Sequence, residues 1–209
     1  MMFLDTLMEL IGFLINLTEI ACVIVLLGYV VTRAQFFRAY LERGRPRVRD
    51  FLLVVGIFGL FSIYGTLGGA NIGNAVLNVR DAGPMIAGLV GGPFAGVLAG
   101  LIGGLHRLAL GMSGMASEWT GAGYTCIPCS LSTVLVGLLA GLVRRAWGEP
   151  SILGAVIFAL LAESLHMLLG LVMAGDPELW FTAASVAQSW ELVISRAAIP
   201  MILANGVGV

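Results

Sequence analysis

The stretch NAVLNVRDAGPMIAGLVGGPFAGVLAGLIGGLHRL, residues 74–108, decides how this chain is laid out. As one continuous helix its residues would extend roughly 52 Å at 1.5 Å per residue, far beyond a hydrocarbon core of about 30 Å. Gly91-Gly92-Pro93 lies at its centre. Proline removes a helical hydrogen bond and paired glycines bend freely, so the stretch divides into helix 75–91 and helix 93–108. Each half is about 25 Å, just enough to cross. The alternative is a single kinked helix.

The surrounding sequence reads as membrane protein. Hydrophobic residues make up 59% of the 209 and charged residues 11%, and the mean hydropathy is +1.00. Soluble domains carry about 25% charge, so too few charges are present to cover a water-facing surface. Apolar runs lie at about 8–31, 51–67, 84–105, 126–143, 152–174 and 191–209, each near the roughly 20 residues of a spanning helix. The expected class is an all-α polytopic bundle.

Every one of the eleven basic residues is arginine. Six lie between Arg33 and Arg49, and Arg144 and Arg145 form a second cluster. Both clusters belong in the cytoplasm under the positive-inside rule. Six plain crossings cannot satisfy that, but the bend at Pro93 makes seven, and both clusters then fall inside. The N-terminus is expected outside, the Gly-Gly-Pro turn inside, 109–125 outside and the C-terminus inside. Residues 33–50 form a polar connector, read either as an ordinary loop or as a short surface helix with Phe36, Phe37, Tyr40 and Leu41 on its apolar face. A net charge of −1 with clustered cations speaks against nucleic-acid binding. Three cysteines are too few for a disulfide framework, and Asp5 and Glu9 stand where a signal peptide would be basic. Because Val209 lies within an apolar run, a soluble continuation is expected beyond it.

Gly88, Gly92, Gly96, Gly100 and Gly104 recur every four residues, and Gly137 and Gly141 repeat the spacing. Such a stripe lets another backbone approach closely, either within the bundle or across a homodimer face. Arg80 lies 13 residues before Pro93 and Arg107 lies 14 after it, so a hairpin sets the two guanidiniums at similar depth. Charge at membrane depth is normally paired or functional. Two guanidiniums suit a carboxylate through the planar two-point fork; Asp81 could instead neutralise Arg80. Cys126-Ile-Pro-Cys129 and Ser130-Leu-Ser132-Thr133 open the next helix, where Cys129 and Ser132 share a face. Ligand contact, packing, and redox or metal chemistry all fit that pattern, although zinc would need two further ligands. Glu163 and His166, three apart in 152–174, read as a satisfied polar pair or a proton relay. Glu191 and Arg196 are expected to pair, and Glu19 in the first span has no evident role. No phosphate loop, nucleophile triad or carboxylate dyad is found, so neither catalysis, a cofactor nor a metal is expected of these residues.

The runs Asn78-Val-Arg80, Ala87-Gly88-Leu-Val-Gly-Gly92-Pro93-Phe-Ala-Gly96 and Gly103-Gly104-Leu-His-Arg107 resemble the five-transmembrane receptor domain of the LytS/YehU sensor family. Gly137-Leu-Leu-Ala-Gly141, Ala162-Glu163-Ser-Leu-His-Met167 and Ile199-Pro200-Met-Ile-Leu-Ala-Asn205 continue the resemblance. It implies a receptor domain over 50–209, preceded by a transmembrane helix and arginine-rich linker over 1–49. It also implies a bacterial cytoplasmic-membrane input domain that precedes a histidine kinase or diguanylate cyclase and works with a response regulator. Some members respond to small carboxylates such as pyruvate, others act in cell-wall control. The resemblance assigns ligand contact to Arg80, Arg107, Cys129 and Ser132, with Asn78 nearby. About eight additional residues separate Arg107 from the cysteine here, and within that stretch Trp119 and Tyr124 are read as a lid or as interfacial anchors. The glycine-proline hairpin is also similar in architecture to the substrate-binding subunits of energy-coupling-factor transporters, which makes a solute-binding transport subunit the alternative.

Overall fold

The computed structural model describes residues 2–42, 47–72, 75–113 and 125–209. Its helices are α1 (Met2–Arg33), α2 (Gln35–Glu42), α3 (Val48–Leu67), α4 (Ala82–Gly91), α5 (Pro93–Met112), α6 (Cys126–Trp147), α7 (Ile152–Met173), α8 (Ala183–Trp190) and α9 (Ala198–Gly208). A π-helical stretch, Glu191–Ala197, joins α8 to α9 in one continuous span. Among the described residues six helices are long and apolar enough to cross a membrane, and Ala82–Gly91 is a shorter apolar helix. The polytopic helical bundle expected from the sequence is what the chain forms.

The bend at Gly92 is real. Gly92 has φ +80°, a left-handed conformation that glycine adopts without a Cβ penalty. Its N–H closes α4 on the Gly88 carbonyl at 2.8 Å. Pro93 opens α5 at its first position, where no N–H is needed. The two helices pack against each other as a hairpin, and the single kinked helix is excluded.

The first arm of that hairpin differs from expectation. Helix 75–91 is only Ala82–Gly91, about 15 Å long. Ahead of it, strands β1 (Ala70–Ile72) and β2 (Ala75–Leu77) pair antiparallel, Ala70 opposite Leu77. The local cause is Asn78. Its Nδ2 donates to the Val76 carbonyl at 2.9 Å and its Oδ1 accepts from the Arg80 N–H at 3.2 Å, so the side chain takes hydrogen bonds that a helix would need. Non-helical backbone at membrane depth is tolerated where protein surrounds it, and Val76 through Met85 are all buried. Asn205 of α9 completes the lining by donating Nδ2 to the Asn78 carbonyl at 3.0 Å.

The glycine stripe is used inside the bundle. A Cβ on Gly88 would lie 2.5 Å from the Gly137 carbonyl, one on Gly100 2.7 Å from the Thr133 carbonyl, and one on Gly104 2.8 Å from the Ser130 carbonyl. Gly96 and Gly137 face each other so closely that neither has room for a methyl group, and Gly141 meets Pro93 in the same way. The α4–α5 hairpin therefore lies backbone to backbone on α6, and this stripe cannot serve as a homodimer face. The 33–50 connector contains a surface helix: α2 turns Phe37 and Tyr40 into the core, where Phe37 packs edge-on against Phe58 of α3.

Replacing Gly96 with valine is expected to destabilise the domain by about 1–3 kcal/mol through overpacking. Gly12→Ala, which meets nothing within 4 Å, should be neutral or stabilising by up to about 1 kcal/mol. Thermal unfolding of the two variants in the same detergent checks the contrast.

Candidate ligand site

Four segments converge on one buried polar cluster: the turn before α4, the C-terminal part of α5, the first two turns of α6 and the middle of α7. Arg80 and Arg107 are the two largest fully buried side chains, each with 0% exposure. Burying guanidinium is costly unless its N–H groups and charge are compensated, so its partners define what the site can do.

Arg80 donates Nε to Thr133 Oγ1 at 2.7 Å and Nη2 to the Cys129 carbonyl at 3.5 Å. Its Nε lies 3.7 Å from Asp81 Oδ1, and Nη1 has no hydrogen-bond partner. Arg107 donates Nη2 to Thr125 Oγ1 at 3.2 Å, while its Nε and Nη1 are without hydrogen-bond partners. No carboxylate pairs with Arg107 among the described residues. The two arginines thus reach the same face of α6. Their anchoring threonines are eight residues apart, about 12 Å along that helix, and Cys129, whose carbonyl accepts from Arg80, stands between them.

The remaining residues fall into place around this axis. Ser132 is buried and its hydroxyl has no hydrogen-bond partner; the same holds for the Ser130 hydroxyl and for His106 Nδ1. Cys126 and Cys129 are both buried and not disulfide-bonded. Asn78, expected at the ligand, commits both ends of its carboxamide to the turn; it shapes the backbone that carries Arg80. Glu163 and His166 do not form a separate polar site. His166 Nδ1 lies 3.2 Å from Glu163 Oε1 and 2.8 Å from Asp81 Oδ2, so Asp81 joins them to Arg80. Glu191 and Arg196 pair at 3.2 Å as expected. Trp119 and Tyr124 lie outside the described residues.

Two residues that hold the site were not singled out from the sequence: Thr125 and Thr133. Thr133 Oγ1 accepts from Arg80, and it lies 2.7 Å from Asp81 Oδ1 and 2.8 Å from the Cys129 carbonyl. Its spacing of four from Cys129 put it on the right helical face, but a threonine that bonds back to the preceding turn is ordinary in a helix. Only the fold brings Arg80 and Asp81 to it.

A polytopic helical bundle closed around a buried cluster of charged side chains is a membrane-embedded domain. The chain belongs to the family described as the 5TMR of 5TMR-LYT, which matches residues 34–209. It is 32% identical over 196 residues to the sensor histidine kinase BtsS of Escherichia coli K12, covering 90% of this chain and 31% of that protein. With the sensor protein LytS of Bacillus subtilis 168 the identity is 32% over 219 residues, covering 95% and 33%. With the sensor histidine kinase YpdA of Escherichia coli K12 it is 27% over 203 residues, covering 94% and 32%. The chain thus spans about a third of the length of these relatives. No solved structure matches it.

Thr133→Val removes the hydroxyl that joins Arg80 to Asp81 and leaves both charges under-compensated, so a loss of about 1–3 kcal/mol is expected. Ser132→Ala deletes a hydroxyl without a partner and should stay within about 0.5 kcal/mol of the parent. Chemical or thermal unfolding of the pair in detergent separates the two roles.

Proposed function

We propose that this domain senses a small extracytoplasmic anion, a carboxylate, held between Arg80 and Arg107 with Ser132 and Cys129 beside it. The observation that carries this reading is the set of unpartnered donors. Arg80 Nη1 and Arg107 Nε and Nη1 are buried and make no hydrogen bond within the described residues. Buried guanidinium donors left unmade are expensive, and a carboxylate accepts from them in the planar geometry that arginine presents. Among the described residues the one carboxylate within 4 Å of Arg80 is Asp81, already shared with Thr133 and His166, which leaves cationic charge at the pair for a ligand to offset. The Ser132 hydroxyl can donate to, or accept from, such a ligand.

Signalling requires that the anion favour one of two arrangements. The hydrogen bond from Asn205 to the Asn78 carbonyl ties the last span to the turn that carries Arg80, and the π-helical stretch in that span is a natural place for a change of helical register. A shift of Arg80 toward a ligand would thereby reach α9 and the cytoplasmic end of the chain. The kinase names of the relatives support an output domain of histidine-kinase type acting on a response regulator. Arg144 and Arg145 at the end of α6 support a cytoplasmic placement of that end, with the N-terminus outside, in the bacterial cytoplasmic membrane.

The test is thermal unfolding of the purified domain against short monocarboxylates, dicarboxylates and 2-oxo acids. A ligand at about a hundred times its dissociation constant adds about 2.7 kcal/mol. Arg80→Lys and Arg107→Lys keep the charge and lose the fork, so both should abolish the shift while still folding. Absence of a shift with every carboxylate, or an equal shift in both variants, refutes the reading.

A further inference from the structure

We propose that Asp81, Glu163 and His166 form a binding site for one divalent first-row transition-metal ion, adjacent to the anion site and joined to it through Asp81. The three side chains come from two elements, the residue before α4 and one face of α7. Each offers a donor atom, and these atoms all lie within 4.8 Å of one another. All three side chains are buried, Glu163 completely. Glu163 and His166 stand three apart on α7, the spacing that points a carboxylate and an imidazole inward from one helix toward a shared ion.

The distances suit coordination. Ligand atoms at about 2.0–2.2 Å from a metal, set at right-angled to tetrahedral angles, stand about 2.9–3.5 Å from each other. His166 Nδ1 lies 2.8 Å from Asp81 Oδ2 and 3.2 Å from Glu163 Oε1. The independent sign is Glu163 itself: its buried Oε2 has no partner, and Oε1 faces only the His166 nitrogen that is already 2.8 Å from Asp81. A proton on His166 cannot repair this. Nδ1 carries one hydrogen for two carboxylates, and Glu163 Oε2 would still face no donor. A divalent ion neutralises both carboxylates at once and takes the imidazole nitrogen as its third ligand. Two carboxylate oxygens and one imidazole suit Mn²⁺, Fe²⁺, Co²⁺ or Zn²⁺ better than a thiolate-selective ion.

Arg80 does not stand in the way. It approaches Asp81 at Oδ1, together with Thr133, while Oδ2 is the oxygen turned to His166. Asp81 would thus be a ligand oriented by a hydrogen bond at its other oxygen, the arrangement that commonly positions metal-bound carboxylates.

The experiment is titration of the purified domain, stripped with EDTA, with Co²⁺ under stoichiometric conditions. The readouts are visible d–d absorption and metal content after desalting. One equivalent per chain is expected, with the absorption lost in Glu163→Gln and His166→Gln and retained in His106→Gln. Thr133→Val, which frees Asp81 Oδ1 from its hydrogen bond, should weaken binding by about 10–100-fold. Arg80→Lys should keep the metal while losing any carboxylate response, so failure of one site is distinguishable from failure of the other. A wild-type domain that takes up no Co²⁺, or a Glu163→Gln variant with an unchanged spectrum, overturns the assignment.

Discussion

Backbone contact between the α4–α5 hairpin and α6 is the constraint on which the rest of this domain depends. In a bilayer no hydrophobic force draws one apolar helix to another, so close packing has to supply the cohesion. Gly88, Gly96, Gly100 and Gly104 on one side and Gly137 and Gly141 on the other remove the side chains that would hold the helices apart. The consequence is positional. With α5 and α6 in backbone contact, an arginine in the C-terminal part of α5 and one in the turn before α4 both reach the α6 face that carries Thr125, Cys129, Ser132 and Thr133.

That packing creates an electrostatic problem which the cluster resolves in part. Two guanidiniums are fully buried with Asp81 as the one carboxylate within 4 Å of either among the described residues. Asp81 is a junction. One oxygen faces Arg80 and Thr133, the other faces His166, and His166 in turn faces Glu163. In a low-dielectric interior each of these charges sets the cost of its neighbours. A change at any member is therefore felt across α4, α6 and α7. The donors that remain unmade, on Arg107 above all, are concentrated on the side of α6 toward its N-terminus.

The extended turn from Asn78 to Asp81 links this cluster to the rest of the bundle. It is braced from within by the Asn78 carboxamide and from outside by Asn205 of the last span. A helix through these positions would have satisfied its own backbone and taken the Asn78 carbonyl away from Asn205. By breaking the helix, Asn78 makes the site and the last span share a hydrogen bond.

Hydropathy, arginine placement and glycine periodicity were enough to establish the membrane class, the hairpin at Pro93, and the residues Arg80, Arg107, Cys129, Ser132, Glu163 and His166 as those worth explaining. Each of these rests on local physics: apolar length against bilayer thickness, the missing proline N–H, and the cost of charge at depth. The sequence could not determine that 75–81 is not helical, that the glycine stripe is spent inside the bundle, or that Glu163 and His166 join Arg80 through Asp81. Nor did it mark Thr125 and Thr133 as anchors. These depend on contacts between residues as distant as Asp81 and His166 or Asn78 and Asn205, and propensity along a chain carries no information about which distant partner a side chain will meet.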